Sequence, residues 1–269
     1  THLAEISFVG AAAGAALTGL RPIVELMFVD FMGVCFDQIL NQTAKFRYMF
    51  GGKAVTPLTI RTMTGCGYGV GGQHSDYLEA WFCHTPGIKV VMPSNPADAY
   101  GLMLSSIRDD DPVLFVENTG WYPTKGPAPE RGKAVPLGKA NIIREGGDIT
   151  LIGYARSMRD LPAAADKLAA QGIEAEVIDL RTVAPLDMDT VLKSVEKTRR
   201  AVVVHEAVSS FGVGAEISSR IHEALFDSLK APVQRIGAKH CPVPFSSELE
   251  KAFLYSEQDI IDTAKSICN

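Results

Sequence analysis

The chain has 269 residues, about the length of two domains, with 46% hydrophobic and 21% charged residues and a formal net charge of -5. This composition is typical of a folded globular protein and excludes collagen-like and disordered chains. The longest basic cluster is Arg199 with Arg200, and no apolar run reaches the roughly 18 residues that span a bilayer, so neither a nucleic-acid-binding face nor a membrane segment is expected.

The first half of the chain predicts alternating helices and strands. The predicted elements are a helix over 5–20, a strand over 21–28, a helix over 31–50, a strand over 57–63, a helix over 77–83, a strand over 88–92, a helix over 96–108 and a strand over 112–116. Residues 64–72 contain five glycines and lead into His74. Such a loop more often holds side chains over a pocket than builds a core.

A polar tract separates this half from a second α/β unit. Residues 118–147 lose the apolar periodicity and contain Pro123, Pro127, Pro129 and Pro136, which predicts a linker and a domain boundary near residue 140. Strands are then predicted over 149–154, 176–179, 201–205 and 233–236, and helices over 158–171, 187–196, 214–225 and the C-terminal segments. Helical crossovers join parallel strands. We therefore expect an α/β fold of two parallel-sheet, three-layer domains, residues 1–140 and 141–269.

The cysteines and the first residues of the chain indicate the cellular compartment in which the protein is expected. The five cysteines are an odd number without CxxC spacing, which argues against a disulfide framework and a zinc site. A bacterial cytoplasm or an organelle matrix is the expected location. The chain starts at Thr1 without Met or a secretory signal, which indicates processing or a missing start.

Three residues of the first half are candidates for chemistry. Glu5 opens a Gly/Ala-rich helix, where its carboxylate could share a proton with a ligand nitrogen or simply be favoured by the helix dipole. His74 follows the glycine-rich residues and could move protons or bind a substrate anion, or cap the next helix. Phe31 follows a predicted strand and could stack on a planar heterocycle, or belong to the core.

Other motifs favour structural roles. His84, before a proline, is interpreted as a packed or capping residue. The FGVGAE run over 211–216 lacks the third glycine of a dinucleotide-binding loop, so Gly212 and Gly214 are interpreted as turn glycines. His205 and Glu206 are interpreted as a pair at the end of a strand.

Six colinear segments carry a resemblance to a known family. They are ELMFVDFMGVCFDQILNQTAKFRYMFGGK (25–53), GGQHS (71–75), HTPGIKVVMPSNPADAYGL (84–102), DDPVLFVEN (110–118), DLRTVAPLD (179–187) and FGVGAEIS (211–218). Together they resemble the β subunit of the E1 component of 2-oxo acid dehydrogenase complexes, and the acetoin and pyruvate members are the most similar. The resemblance covers essentially the whole chain.

This resemblance implies a transketolase-like pyrimidine-binding domain followed by a transketolase C-terminal domain. It also implies a site shared with an E1 α subunit, in which the β subunit grips the aminopyrimidine of thiamine diphosphate and the α subunit holds the diphosphate through Mg²⁺. The family's metal-binding GDG motif is absent here, since Gly146, Gly147 and Asp148 form only a predicted turn. An α partner in an α2β2 heterotetramer is therefore expected.

The resemblance assigns roles to the three candidates. Glu5 matches the glutamate that hydrogen-bonds the pyrimidine N1′, and Phe31 matches the aromatic residue that stacks on the pyrimidine. His74 matches the active-site histidine that handles the substrate or the acyl transfer to lipoamide.

The resemblance also implies a structural K⁺, held mainly by backbone oxygens, a donor set that suits a hard cation. The matching positions are Leu58, Ser106, Ile107, Asp109 and Asp111. Members of the family usually carry further residues before the point that matches Thr1, so the N-terminus is expected to be incomplete.

The leading hypothesis is a thiamine diphosphate-dependent E1 β subunit that acts on a 2-oxo acid or acetoin and faces a lipoyl E2 acyltransferase. One alternative is a transketolase-like half enzyme, which would need clustered basic residues for a sugar phosphate. Another is a non-catalytic binding module, against which the joint presence of Glu5, Phe31 and His74 argues.

Overall fold

The computed structural model describes residues 2–126 and 128–268. Thr1, the linker residue Pro127 and Asn269 lie outside the described residues. The strands are β1 (Ile23–Leu26), β2 (Thr59–Thr64), β3 (Lys89–Val91), β4 (Val113–Asn118), β5 (Asn141–Arg144), β6 (Ile149–Gly153), β7 (Ala175–Asp179), β8 (Thr182–Ala184), β9 (Ala201–Val208) and β10 (Gln234–Ala238).

The helices lie between these strands. They are α1 (Glu5–Leu17), α2 (Phe46–Met49), α3 (Glu79–Cys83), α4 (Pro96–Arg108), α5 (Ser157–Ala169), α6 (Met188–Thr198), α7 (Val213–Leu225), α8 (Ser247–Phe253) and α9 (Glu257–Cys268), with 3₁₀ helices at Val29–Cys35, Thr119–Trp121 and Phe226–Ser228 and a π-helix at Asp37–Thr43. None of the helices in the described ranges is long and apolar enough to cross a bilayer.

The strands form two sheets of five, in the orders β1-β2-β4-β3-β8 and β10-β9-β6-β7-β5. All neighbours are parallel except β8 beside β3 and β5 beside β7. Central strands such as β6 and β7 are buried along their whole length, because helices cover both faces of a parallel sheet. The predicted α/β class is confirmed, with an antiparallel strand at one edge of each sheet.

The two halves of the chain share structure. β8 comes from the second half, yet it pairs with β3 at the edge of the first sheet. One apolar cluster also joins Val29 and Phe82 of the first half to Val183 and Ile217 of the second. Neither β5 nor β8 was predicted, because three or four residues at a sheet edge leave little periodicity. The domain boundary near residue 140 stays a prediction.

The single helix predicted over residues 31–50 is wrong. The segment is instead a 3₁₀ helix, a π-helix and the short α2. The buried residues of the 3₁₀ helix are Val29, Met32 and Cys35, and their spacing of three matches the 3₁₀ repeat. Thr43 Oγ1 donates to the carbonyl of Gln38, five residues earlier, as the wider π-turn allows.

The sequence predicts His205 and Glu206 at the end of a strand. The structure instead has both inside β9, where both are buried. The His205 ring fills the space where a side chain would stand at two glycines of the FGVGAE run. A Cβ added at Gly212 or Gly214 would lie 2.8 or 2.7 Å from that ring. These glycines therefore permit the close approach of α7 to a buried imidazole.

Burial makes the imidazole of His205 acid-sensitive. Burial lowers the pKa of His205 from 6.5 to about 4. The hydrogen bond to the Ala207 carbonyl opposes this shift, and the charge of Arg235 adds to it. Between pH 6.5 and about pH 4 the unfolded chain therefore binds a proton that the folded chain does not, so stability present above pH 6.5 is lost as the pH falls through this range. We expect a loss of about 2 kcal/mol at pH 5 relative to neutral pH.

Urea denaturation at pH 7 and pH 5 checks this expectation. A His205→Gln variant should lose that part of the pH dependence, whatever its stability at neutral pH. The exposed His240→Gln variant is the matched control and should behave as the wild type. An equal loss in His205→Gln would assign the acid sensitivity to other groups.

Candidate active site

The carboxyl ends of β1, β2 and β4 meet at one edge of the first sheet, where a cavity of about 370 Å³ opens. Its lining residues come from these strand ends and the following loops: Phe28, Met63, Gly65, Tyr68, Val70, His74, Thr119, Tyr122 and Pro123. Lys, Arg, Asp and Glu do not occur among these nine described residues. Larger cavities, of about 680 and 760 Å³, lie beside Pro86 and Pro185. Ligands of open α/β sheets bind at the carboxyl ends of strands, so the 370 Å³ cavity is the candidate site.

Phe31 and His74 contact each other at this edge of the sheet. Their ring centroids lie 5.4 Å apart, with the ring planes at 90°. Phe28 contacts both, with its centroid 6.0 Å from that of Phe31 and 5.0 Å from that of His74. Each pair has the edge-to-face geometry that aromatic rings favour. The structure thus brings together two of the three predicted site residues and fixes the imidazole between two aromatic rings.

Asp30 fixes the backbone on the other side of His74. Its Oδ1 accepts hydrogen bonds from the backbone N–H groups of Ser75 and Asp76, each at 3.1 Å. Burial, with the neighbouring Asp30 charge, raises the pKa of Asp76. Sequence reasoning missed Asp30, although a carboxylate between a strand and the candidate Phe31 was a signal that could have found it. The tether joins the end of β1 to the segment that carries His74.

Glu5 stands apart from the other two candidates. It is the first residue of α1, is half-buried, and does not line the 370 Å³ cavity. Its charge reaches Cys35, where it adds to the effect of burial in raising the pKa of that thiol to about 11. Because Cys35 ends the 3₁₀ helix that contains Phe31, α1 and this helix hold Glu5 and Phe31 on neighbouring elements.

The glycine loop, residues 64–72, forms one wall of the cavity. Tyr68 Oη donates to the Thr119 carbonyl at 2.9 Å and so joins this wall to the segment after β4. Gly65, at a φ of +118°, leaves only 3.0 Å between an added Cβ and the side chains of Asn118 and Thr119. A side chain at this position would separate the two walls.

The five positions predicted to hold K⁺ lie at the amino ends of β2 and β4 and at the carboxyl end of α4, away from the strand ends that border the cavity. The Arg21 guanidinium donates to the carbonyls of Ile107 and Asp109, at 3.2 and 2.9 Å. The Leu58 carbonyl accepts from Val113 N at 2.9 Å. Further hydrogen bonds involve the Ser106 carbonyl, which accepts from Asp109 N, and the carboxylates of Asp109 and Asp111, which pair with Lys89 and Arg47. These oxygens suit a hard cation, and each carbonyl that accepts one hydrogen bond keeps a second lone pair.

Comparisons with known proteins agree with this geometry. Residues 1–125 match the family described as transketolase, pyrimidine binding domain, and residues 138–260 match transketolase, C-terminal domain. The acetoin:2,6-dichlorophenolindophenol oxidoreductase subunit beta of Cupriavidus necator is 51% identical over 265 residues, which are 98% of this chain and 78% of that protein. The pyruvate dehydrogenase E1 component subunit beta of Rickettsia felis is 44% identical over 268 residues, which are 100% of this chain and 82% of that protein. The chain belongs to the family of E1 β subunits of acetoin and pyruvate dehydrogenases.

A solved structure confirms the fold of this E1 β subunit. The protein named split gene transketolase, inactive beta4 tetramer, superposes with a TM-score of 0.80 at 21% sequence identity. The alignment covers 99% of this chain and 82% of that one. The transketolase-like architecture expected from the sequence is therefore confirmed.

The cofactor of the E1 family is thiamine diphosphate, and the residues of the site fit its aminopyrimidine. Phe31 is a half-buried aromatic ring, which can stack on a planar heterocycle. Glu5 is a half-buried carboxylate at a helix N-terminus, which can accept a hydrogen bond from a ring nitrogen. The cavity beside His74 is mostly apolar, which suits a small uncharged substrate group.

Proposed function

We propose that this E1 β subunit works with an α subunit, as an α2β2 heterotetramer, to decarboxylate a short 2-oxo acid or to cleave acetoin. The acyl group then passes to the lipoyl group of an E2 acyltransferase. The observation that supports this most directly is the contact between Phe31 and His74 beside the apolar cavity at the strand ends. The names of the relatives, each a subunit beta, support the need for an α chain.

Each candidate residue has a defined part in this proposal. Glu5 would share a proton with the N1′ nitrogen of the pyrimidine, and the Phe31 ring would stack on the pyrimidine. Thiamine diphosphate, when bound, supplies the electron sink for breaking the bond beside the substrate carbonyl. His74, held by Phe28, Phe31 and the Asp30 tether, hydrogen-bonds the substrate or moves a proton during acyl transfer.

The cavity favours a small substrate over a sugar phosphate. Its nine lining residues include no Lys or Arg to bind a phosphate group, which argues against a transketolase-like half enzyme. Pyruvate and acetoin carry short methyl-bearing groups that such a wall can contact. The retained Glu5, Phe31 and His74 argue against a non-catalytic module of the same fold.

The metal ions divide between the subunits in this proposal. The described residues contain no group of three or more His, Cys, Asp or Glu side chains that could hold a metal ion. We therefore assign Mg²⁺ and the diphosphate to the α subunit. A K⁺ binds at the oxygens of Leu58, Ser106, Ile107, Asp109 and Asp111. A bacterial cytoplasm or an organelle matrix stays the expected location, and one relative, from Dictyostelium discoideum, is named mitochondrial.

The test is an activity assay of this chain co-expressed with its α partner. Pyruvate, branched-chain 2-oxo acids and acetoin are compared with an artificial electron acceptor, with and without thiamine diphosphate and Mg²⁺. We expect cofactor-dependent turnover, highest with pyruvate or acetoin. A fully assembled heterotetramer that turns over none of these substrates would contradict the proposal, and turnover of a sugar phosphate would favour the transketolase-like alternative.

A further inference from the structure

The glycine loop is held by a carboxylate from the far end of the chain. Glu250 lies on α8, is 2% exposed, and directs both carboxylate oxygens at this loop. Its Oε1 accepts from Gly67 N at 3.0 Å and from Gly69 N at 3.3 Å, and its Oε2 accepts from Gly69 N at 3.1 Å. Hydrogen bonds to a charged acceptor are about twice as strong as neutral ones. A side chain of the second half thus supplies acceptors for a loop that has few side chains of its own.

The segment before α8 also packs directly on the loop. A Cβ added at Gly71 would lie 2.4 Å from the Phe245 ring, and one at Gly72 would lie 3.3 Å from the Val243 carbonyl oxygen. The absence of side chains at Gly71 and Gly72 thus lets residues 243–245 pack against the loop. The positions of the loop and of residues 243–250 are therefore coupled.

The same loop shapes the candidate active site. Between the two amides held by Glu250 stands Tyr68, which lines the cavity and donates to the Thr119 carbonyl. Val70 follows, also in the cavity wall, and the backbone continues to His74. A shift of the loop would move this wall and the segment that carries the imidazole together.

A second buried carboxylate holds the opposite wall. Glu206 Oε2 accepts a hydrogen bond from Asn118 Nδ2 at 2.5 Å, directly before Thr119. On the loop side, Cys66 N donates to Tyr77 Oη at 2.7 Å, and the Cys66 thiol donates to Glu206 Oε1 at 3.9 Å. Both walls of the cavity are thus anchored on acidic side chains of the second half.

We propose that Glu250 is a positioning residue for the E1 reaction: it holds the glycine loop in the shape that places Tyr68 and His74 at the substrate. The expected fall in kcat/KM rests on the proposed function, whereas the anchoring of the loop by Glu250 rests on the contacts alone.

The test uses the complex assembled with the α subunit, and it compares Glu250→Ala and Glu250→Gln with the wild type by amide hydrogen exchange and steady-state kinetics. In Glu250→Ala, both loop amides lose their acceptor, so exchange at Gly67 and Gly69 should accelerate about tenfold. Because a small misplacement of a catalytic group is costly, kcat/KM should fall about 100-fold. Glutamine keeps one acceptor oxygen, and one oxygen of Glu250 lies within reach of both amides, so both should keep part of their protection and kcat/KM should recover to within about tenfold of the wild type.

The matched control is Glu248→Ala on the same helix, where the side chain is 78% exposed and pairs with Lys251. It should change neither the exchange nor the kinetics. Unchanged exchange at Gly67 and Gly69 in Glu250→Ala, or faster loop exchange with unchanged kcat/KM, would overturn the proposal. If Glu250→Ala does not fold, Glu250→Gln decides: faster exchange at the loop amides together with a lower kcat/KM supports the proposal, and wild-type exchange or wild-type kcat/KM overturns it. A wild-type complex without turnover counts against the proposed function, and the exchange comparison still decides whether Glu250 anchors the loop.

Discussion

Replacing Glu5 with glutamine should reduce cofactor-dependent turnover of the assembled complex at least about 100-fold, the range in which general acid–base groups contribute. Glutamine keeps the size of the side chain and one acceptor oxygen, but it cannot share a proton with the pyrimidine nitrogen in the same way. Glu5 is half-buried at the start of α1, so the substitution leaves the packing of the buried face of this helix in place. The measurement is turnover per assembled heterotetramer with the best substrate of the panel.

The control for this experiment is Glu223→Gln, an exposed position on α7. It removes the same charge from the surface of the second half and should retain full turnover. Bound thiamine diphosphate is measured in both variants, so that a loss of cofactor is separated from a loss of proton transfer. Near-normal turnover in Glu5→Gln would show that another residue holds the pyrimidine nitrogen.

The placement of Phe31 and His74 was predictable because it depends on local features and one topological rule. Phe31 follows β1, and His74 follows the glycine loop that continues β2. In a parallel sheet the carboxyl ends of strands lie at one edge, so residues that follow different strands meet there. Their contact needed no knowledge of distant side chains.

The anchoring of the site could not be predicted, because it depends on side chains that are distant in the sequence. Glu250 is separated from Gly67 and Gly69 by more than 180 residues and Glu206 from Asn118 by 88, and no spacing in the sequence connects them. In the sequence, the glutamate of a short polar helix resembles a solvated surface charge. The one usable signal was the glycine loop itself, because a run without side chains must find partners for its N–H groups elsewhere.

Irregular helices escaped prediction because the periodicities overlap. The buried Val29, Met32 and Cys35 repeat every three residues, and the next buried positions, Ile39 and Thr43, repeat every four. A search for the α-helical period joins these into one helix. The distinction matters for function, since the 3₁₀ turn places Phe31 beside His74.

The ion pair between Arg156 and Glu206 neutralises the carboxylate that the second half presents to Asn118 of the first half, so its removal should have a large effect on stability. Arg156 Nη1 lies 3.0 Å from Glu206 Oε1, and the two side chains are 22% and 5% exposed. Burial raises the pKa of Glu206, and the Arg156 charge opposes that rise. Removing the guanidinium leaves a carboxylate without its counter-ion, so Arg156→Met should lower the free energy of unfolding by about 3 kcal/mol.

The pH dependence and a double variant separate charge from packing in this prediction. Without Arg156, the pKa of Glu206 in the folded chain rises further above the pKa of an unfolded glutamate. The folded chain then loses stability as the pH rises through the pKa of Glu206, because the carboxyl group must ionise without a counter-ion. The deficit of Arg156→Met, measured by urea denaturation, should therefore be larger at pH 8 than at pH 5, close to the pKa of an unfolded glutamate. Adding Glu206→Gln should recover most of this deficit, because a neutral amide needs no counter-ion.

The control is Arg159→Met. The Arg159 side chain is 58% exposed and lies 3.7 Å from Asp160, so its loss should cost under about 0.5 kcal/mol. A deficit that is independent of pH and persists in the double variant would show that Arg156 acts through packing rather than through its charge.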